Sequence, residues 1–406
     1  MNTKIFGNKK VMNAIYLGTL CAISYLAVYY ARNILSAVTP QMIEVGFVEG
    51  YIGKVSSVYF ICYAVGQLIN GIIGDKVKAK YMISIGLFLA GVTNYLFTYL
   101  SGQNPDLGVV IYGFTGFFLS MIYGPLTKVV AENTDLIYAT RCFLGFTFSS
   151  FLGTPLAGIT AAGMSWQSVF LLSSIILIAM ATVCFLFFVR FEKKGIISYN
   201  QVKVEKEKGG GIKALIEHRI IKFTLISIVT GVVRTTVVFW MPTYISQYLG
   251  FSSSTSAMIF TVASFIISFV AFIAVFVYEK LKRNMDLTIL IMFICATVFF
   301  ALIYFIKLPV LNIAFLVFAI MSSNGAAAIM WSRYCPGLKD IGMVSAGTGF
   351  LDFVSYMAAA ASSTLFANAV SDIGWRNLIL VWTGLMVFGV IISLPRKIRR
   401  ETSLNV

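Results

Sequence analysis

The sequence predicts an all-α membrane protein: twelve transmembrane helices in two pseudo-symmetric six-helix bundles. Three observations carry that prediction. The 406 residues are 59% hydrophobic and 12% charged, with a mean hydropathy of +0.87, whereas a soluble domain is about a quarter charged. Twelve apolar runs are each long enough to cross about 30 Å of hydrocarbon as helix, which takes roughly 20 residues. A polar connector divides these runs six and six.

The runs lie at about 11–36, 50–73, 80–101, 108–131, 140–163, 166–190, 220–246, 253–278, 286–306, 308–332, 342–369 and 374–395. Barrel strands would be shorter and alternate in polarity, which these runs do not. Positive charge alternates between the loops. Lys4, Lys9 and Lys10 precede the first run, Lys76, Lys78 and Lys80 follow the second, and Lys280, Lys282 and Arg283 follow the eighth. Arg333 and Lys339 follow the tenth, and Arg396, Lys397, Arg399 and Arg400 the last. Loops 37–49, 102–107 and 247–252 carry no Lys or Arg. By the positive-inside rule, both termini and the central connector are expected in the cytoplasm. The expected location is the cell membrane, a bacterial inner membrane, with no cleavable signal peptide because the first apolar run is too long for one. The net charge of +15 is thereby explained by orientation rather than by nucleic acid.

The expected organisation is an N-terminal bundle over 1–190, a cytoplasmic linker over 191–219 and a C-terminal bundle over 220–406. The linker contains Lys203-Val-Glu-Lys-Glu-Lys208 followed by three glycines, a composition that cannot bury a core. Ile212 to Arg219 can then form a short amphipathic helix at the inner surface. The only histidine, His218, lies there and reads as a solvated loop residue, with a pH-sensing role as the other option. Six scattered cysteines show no metal-ligand spacing and read as packing residues.

A weak internal repeat relates the halves. Gly71-x-x-x-Asp75-Lys76 with its following lysines closes the second run, and Glu279 with Lys280, Lys282 and Arg283 closes the eighth. An acid at a helix end can meet the N-terminal dipole or the cations of a neighbouring helix. Gly71, Asp75, Lys76 and Glu279 are therefore candidates for a conformational latch; the alternative is that the cations only orient the loop and the acid only caps.

Few charges remain inside the runs: Arg32, Lys128, Arg234 and Asp352, with Glu132, Arg141 and Lys54 near run ends. An ionised side chain in hydrocarbon costs about 2.5–3.5 kcal/mol even on insertion scales, so each must escape or have a role. Arg32 could snorkel outward from the end of the first run, but Ile34 to Val38 stay apolar and argue that the helix continues. Tyr29 and Tyr30 beside it form either an interfacial belt or the wall of a site. Arg234 is near mid-run, flanked by Thr235 and Thr236, and its candidate ion-pair partner is Asp352. Two arginines facing one cavity repel unless an anion joins them, and guanidinium forks suit phosphate or carboxylate. A midplane site between two repeats is the arrangement of rocking alternating access. Ser322, Ser323 and Asn324 either line that cavity or pack helices. Gly153-Thr-Pro155-x-x-Gly158 reads as a kink and close-packing element, with a hinge as the alternative.

The loop Gly71-x-x-x-Asp75-Lys76, with twelve runs split six and six, resembles the major facilitator superfamily. Several stretches more specifically resemble the organophosphate:inorganic phosphate antiporters, such as glycerol-3-phosphate and hexose-6-phosphate transporters. They are Tyr29-x-x-Arg32 with Pro40 and Glu44-Val-Gly-Phe47; Gly124-Pro125-x-x-Lys128; Arg234-x5-Trp240-x-Pro242-Thr-Tyr244; and Ala346-Gly-Thr with Gly349-Phe350 and Tyr356. The resemblance implies a major facilitator fold that exchanges an organic phosphate for inorganic phosphate. It implies Arg32 and Arg234 as the phosphate-binding cations, with Tyr29, Lys128 and Tyr356 among the substrate-binding residues. The chain departs from that family in its charges. Gln67 stands where bacterial members carry a lysine, Phe239 and Ser264 stand where acids are expected, the fifth-run histidine of some members is absent, and Asp352 replaces a small residue.

Asp352 has three readings: counter-ion of an empty site, titrating group for proton coupling, or helix-packing hydrogen bond. The expected function is a secondary transporter of a small anionic solute (organic phosphate, phosphate or carboxylate), acting as a monomer in the bilayer without nucleic acid, cofactor or metal. The alternatives are a proton-coupled carboxylate symporter using Asp352 and a sugar-phosphate sensor that binds without turnover. An enzyme is not expected: the one histidine lies in a loop, and no paired carboxylates or metal cluster accompany it.

Overall fold

In a computed structural model of the chain, residues 2–74, 77–199, 211–341 and 343–394 are described. Among them, eleven helices are long and apolar enough to cross a membrane. In order they are Lys10–Glu44, Glu49–Gly71, Ala79–Gln103, Pro105–Asn133, Arg141–Gly163, Trp166–Lys193, Ile220–Gln247, Ser253–Lys280, Met285–Phe305, Pro309–Gly337 and Gly347–Ser393. The last is two passes. Gly374 interrupts it with φ 75° and ψ 166°, and the rings of Phe366 and Trp382 lie 6.0 Å apart. Continuous helix would separate those two residues by roughly 24 Å. The chain therefore crosses twelve times, and the passes are called spans one to twelve.

That backbone region is open to glycine alone, and a side chain there costs on the order of 1–3 kcal/mol. Gly374→Ala is expected to destabilise the protein by that amount. Thermal unfolding in detergent measures it, and an unchanged midpoint would refute the hairpin.

Span one runs well past the expected boundary at 36, as helix through Pro40 to Glu44. Proline removes one backbone donor but its φ is already helical, and the last turn is held from outside. Gln41 Nε2 donates to the carbonyls of Ala161 (2.5 Å) and Met164 (3.1 Å). Spans four, seven and ten are each interrupted. Span four breaks before Gly124 and Pro125. Spans seven and ten each contain a π-helical turn, Val232–Val237 and Met330–Tyr334, the second just before Pro336.

Span one packs on spans five and six, span two on span four, and span three on spans four and six. In the second half, span nine packs on span ten, and the eleven–twelve hairpin packs on spans seven and nine. The halves meet where span two lies on span eleven, span five on span eight, and span one on span seven. Hydroxyl groups stitch this seam. Ser56 bonds Ser363, Ser57 bonds Thr364 (2.7 Å) and the Ala360 carbonyl, Ser36 Oγ donates to the Phe239 carbonyl (2.6 Å), and Thr261 Oγ1 donates to the Pro155 carbonyl (3.3 Å). At the face opposite the termini, Gln247 donates to Glu49 (2.6 Å) and Ser253 to Glu44 (2.9 Å). Among the described residues, no hydrogen bond or ion pair joins the halves at the terminal face.

The ion pairs stay within halves. At the terminal face Glu192 of span six accepts from Lys78 (3.0 Å) and from Lys80 of span three. In the second half Asp286 holds Arg219 (2.9 Å) and Lys222 (3.1 Å). Large apolar side chains such as Phe272, Phe305 and Val310 stand exposed on the outside of the bundle, where a bilayer would cover them.

A short helix, Gly211–Glu217, precedes span seven. His218 just after it faces the Ala214 carbonyl (2.9 Å). The linker residues 203–210 and the latch residues Asp75 and Lys76 lie outside the described residues. Gly71 is exposed near the end of span two with open space around it. Glu279 is exposed at the end of span eight and has no side-chain partner among the described residues.

Candidate anion-binding site

Arg32 lies well inside span one, twelve residues before its end at Glu44, so its side chain does not escape to the interface. Its guanidinium is caged by phenols. The carbon Cζ lies 5.5 Å from the ring of Tyr29 one turn earlier, 5.2 Å from Tyr63 of span two and 5.0 Å from Tyr356 of span eleven. Nη1 donates to the Tyr356 hydroxyl at 2.8 Å. Aromatic faces attract a cation without neutralising it. Among the described residues no carboxylate pairs with Arg32.

Arg234 sits in the π-helical turn of span seven. Such turns are rare and recur at functional sites, because the extra residue re-aims a side chain. Nη2 donates to Ser355 Oγ (3.4 Å) and stands 3.7 Å from Asp352 Oδ1. Its Cζ is 5.9 Å from the ring of Trp331, itself in the π-turn of span ten, and 5.9 Å from that of Tyr356. One ring, Tyr356, is thus shared by cations from the two halves.

Both arginines, Tyr29 and Tyr356 line one cavity of about 310 Å³ between the halves. Three of its lining residues carry a buried polar atom without a hydrogen-bond partner among the described residues: Thr235 Oγ1, Ser264 Oγ and Asn324 Oδ1. Buried polar groups are nearly always satisfied, so these residues leave polar capacity in the wall of a cavity that two arginines share. Asp352 lies one helical turn before Tyr356 and lines a second, smaller cavity of about 200 Å³ with Gln67, Asn70 and Tyr123; this is the second lobe of the site.

The cavity gathers four of the sequence-predicted residues, Arg32, Arg234, Tyr29 and Tyr356, with Asp352 at its edge. Lys128 is elsewhere: its Nζ donates to the Gly74 carbonyl at 3.1 Å, and it lines neither cavity. Of the span-ten polar run, Asn324 lines the cavity, whereas Ser322 is bonded back to the Phe318 carbonyl. Thr236 is a packing residue, donating to the Ala359 carbonyl (3.0 Å). Gly153 lets span five reach span one: a Cβ there would lie 2.7 Å from the Tyr29 carbonyl carbon. Sequence reasoning missed Tyr63, Trp331, Asn33 and Thr154. One tyrosine among twenty and one tryptophan among five carry no mark of facing a cation, although the spacing of Asn33 beside Arg32 was available.

The sequence model of the Major Facilitator Superfamily matches residues 21–363. The chain belongs to that superfamily. Its relatives and fold are those of membrane transporters and a membrane sensor, not of enzymes. This facilitator is 24% identical over 271 residues to the glycerol-3-phosphate transporter of Bacillus subtilis, covering 61% of this chain and 60% of that one. It is 26% identical over 111 residues to a probable hexose phosphate transport protein of Chlamydia trachomatis, covering 27% of this chain and 24% of that one. It is 29% identical over 93 residues to the membrane sensor protein UhpC of Salmonella typhimurium, covering 23% and 20%. The chain thus spans between a fifth and three fifths of the length of these curated relatives. Among solved structures, it resembles a bacterial homolog of the human lysosomal transporter Spinster (TM-score 0.73, 11% identity, 94% of this chain and 96% of that one). It also resembles the xylose transporter XylE from E. coli (TM-score 0.68, 14% identity, 95% and 100%). At those identities the likeness speaks to the fold.

Proposed function

We propose that this facilitator is a secondary transporter of a small anionic solute, an organic phosphate exchanged for inorganic phosphate, with Arg32 and Arg234 as the binding cations. The observation that carries the proposal is Arg32: a membrane-embedded cation that forms no ion pair among the described residues and shares Tyr356 with a second arginine across one polar cavity. An anion between two guanidinium groups relieves their repulsion and draws the halves together, which couples binding to rocking. The names of the curated relatives, hexose phosphate and glycerol-3-phosphate transporters, favour phosphate as the anion.

In this reading the halves 1–190 and 220–406 move as bodies joined by 191–219. The terminal face, which carries the basic loops, is cytoplasmic in a cell membrane. The hydroxyl seam then closes the outside, and the state described is inward-facing.

Proteoliposomes loaded with inorganic phosphate test this. Labelled phosphate is expected to enter by counterflow, and Arg32→Lys is expected to reduce that flux about tenfold or more, the loss of one charge-assisted contact. Phosphate binding without flux under any gradient would instead assign a sensor, as one relative is named.

A further inference from the structure

The second lobe has the opposite electrostatic character from the first. Its walls carry the Asp352 carboxylate, the Asn70 and Gln67 amides, the Ser120 hydroxyl and the Tyr123 ring, and among the described residues no Lys or Arg lines it. The Asn70 amide nitrogen is committed to Ser120 Oγ (2.8 Å) and the Phe117 carbonyl (3.4 Å), and among the described residues no donor is bonded to its Oδ1. Asp352 is held loosely. Arg234 touches it only at 3.7 Å through Oδ1, and the Gln67 amide approaches it from span two. A carboxylate has about four acceptor positions, so it keeps capacity for a further donor. A carboxylate, a free amide oxygen and an aromatic ring around a small lobe form a receptor for an ammonium group.

We infer that this facilitator selects a zwitterion: a solute whose anionic head lies between Arg32 and Arg234 and whose ammonium group enters the second lobe and pairs with Asp352. The inference rests on the anion site proposed above and adds the substrate class. Arg234, which lines the first cavity, and Asp352, which lines the second, stand 3.7 Å apart, so a short alkyl chain joins the two charges of such a solute. The solute also separates the resident pair, giving Arg234 the anion and Asp352 the cation. An anion without an amine leaves Asp352 competing with it for Arg234.

Matched ligand pairs differing only in the amine test this on purified full-length protein by titration calorimetry: O-phosphoethanolamine against ethyl phosphate, and β-alanine against propionate. The pairs also separate a phosphate head from a carboxylate head. The amine-bearing member of one pair is expected to bind at least about tenfold tighter, the scale of one charge-assisted hydrogen bond. Asp352→Asn, nearly isosteric, is expected to erase that preference while inorganic phosphate binds as well as before or better, which also reports that the variant is folded. Equal affinities within both pairs, with inorganic phosphate still bound, would overturn this inference and leave the anion site standing. Equal weakening of all ligands by Asp352→Asn would also overturn it, by making Asp352 a structural partner of Arg234. Failure of the wild-type protein to bind any of these ligands or inorganic phosphate would overturn the anion site itself and this inference with it.

Discussion

Arg234→Lys is expected to abolish phosphate exchange, lowering flux at least about a hundredfold, because it removes two charge-assisted hydrogen bonds worth about 1.5–3 kcal/mol each. The guanidinium lies between two aromatic faces, Trp331 and Tyr356, with its Nη2 turned to Ser355 and Asp352. A planar fork can keep those contacts and still offer parallel donors to an oxyanion. An ammonium is a point charge that can satisfy Asp352 or the ligand but lacks the flat geometry for both. The charge beside Asp352 is retained, so the helix pairing survives and the loss falls on binding. Counterflow in proteoliposomes and phosphate affinity in detergent measure the two parts; near-normal exchange by Arg234→Lys would remove the anion clamp from consideration.

Gly158→Val is expected to prevent closure of the face opposite the termini. A Cβ at Gly158 would lie 2.1 Å from Thr261 Oγ1 and 2.8 Å from the Ala257 carbonyl. The hydroxyl can rotate away, but the carbonyl belongs to the backbone of span eight. Both contacts cross the seam, so each half folds unhindered and only their approach is blocked. Overpacking of this kind costs about 1–3 kcal/mol, enough to shift a two-state balance by roughly fivefold to a hundredfold. A cysteine placed at Ser363, elsewhere in the seam, is expected to react faster with an impermeant maleimide when Gly158→Val is present, while transport falls. Unchanged labelling and unchanged flux would mean that the seam does not gate.

What could be read in advance follows physical lines. Hydrophobic run length and loop charge are summed over many residues, and they yielded the twelve passes within a few positions. The arginines stood out because ionised groups in apolar runs are costly and rare. The continuation past Pro40 depended instead on Gln41 reaching carbonyls more than a hundred residues away. The π-turns around Arg234 and Trp331 depended on one inserted residue per helix, which leaves no trace in periodicity. Lys128 shows the limit of motif reasoning: its charge sits in a run, yet its ammonium is spent on the end of span two. Asp352 was identified as the candidate mate of Arg234, but that it faces a separate lobe emerges only when span two brings Gln67 and Asn70 beside it.

The division of labour among polar contacts has a consequence for energetics. Every ion pair among the described residues lies inside one half, from Lys10–Asp135 to Arg234–Asp352. The seam between the halves is mainly neutral hydroxyls and carbonyls. Dissolved salt screens exposed charge pairs and scarcely touches neutral hydrogen bonds. Ionic strength therefore acts on the rigidity of each half, while the balance between open and closed is left to many small contacts of about 1 kcal/mol apiece. In the proposed rocking motion the joint is made of parts weak enough to exchange one by one, and only the contacts to Glu49 and Glu44 at its rim involve charge that the surrounding water can screen.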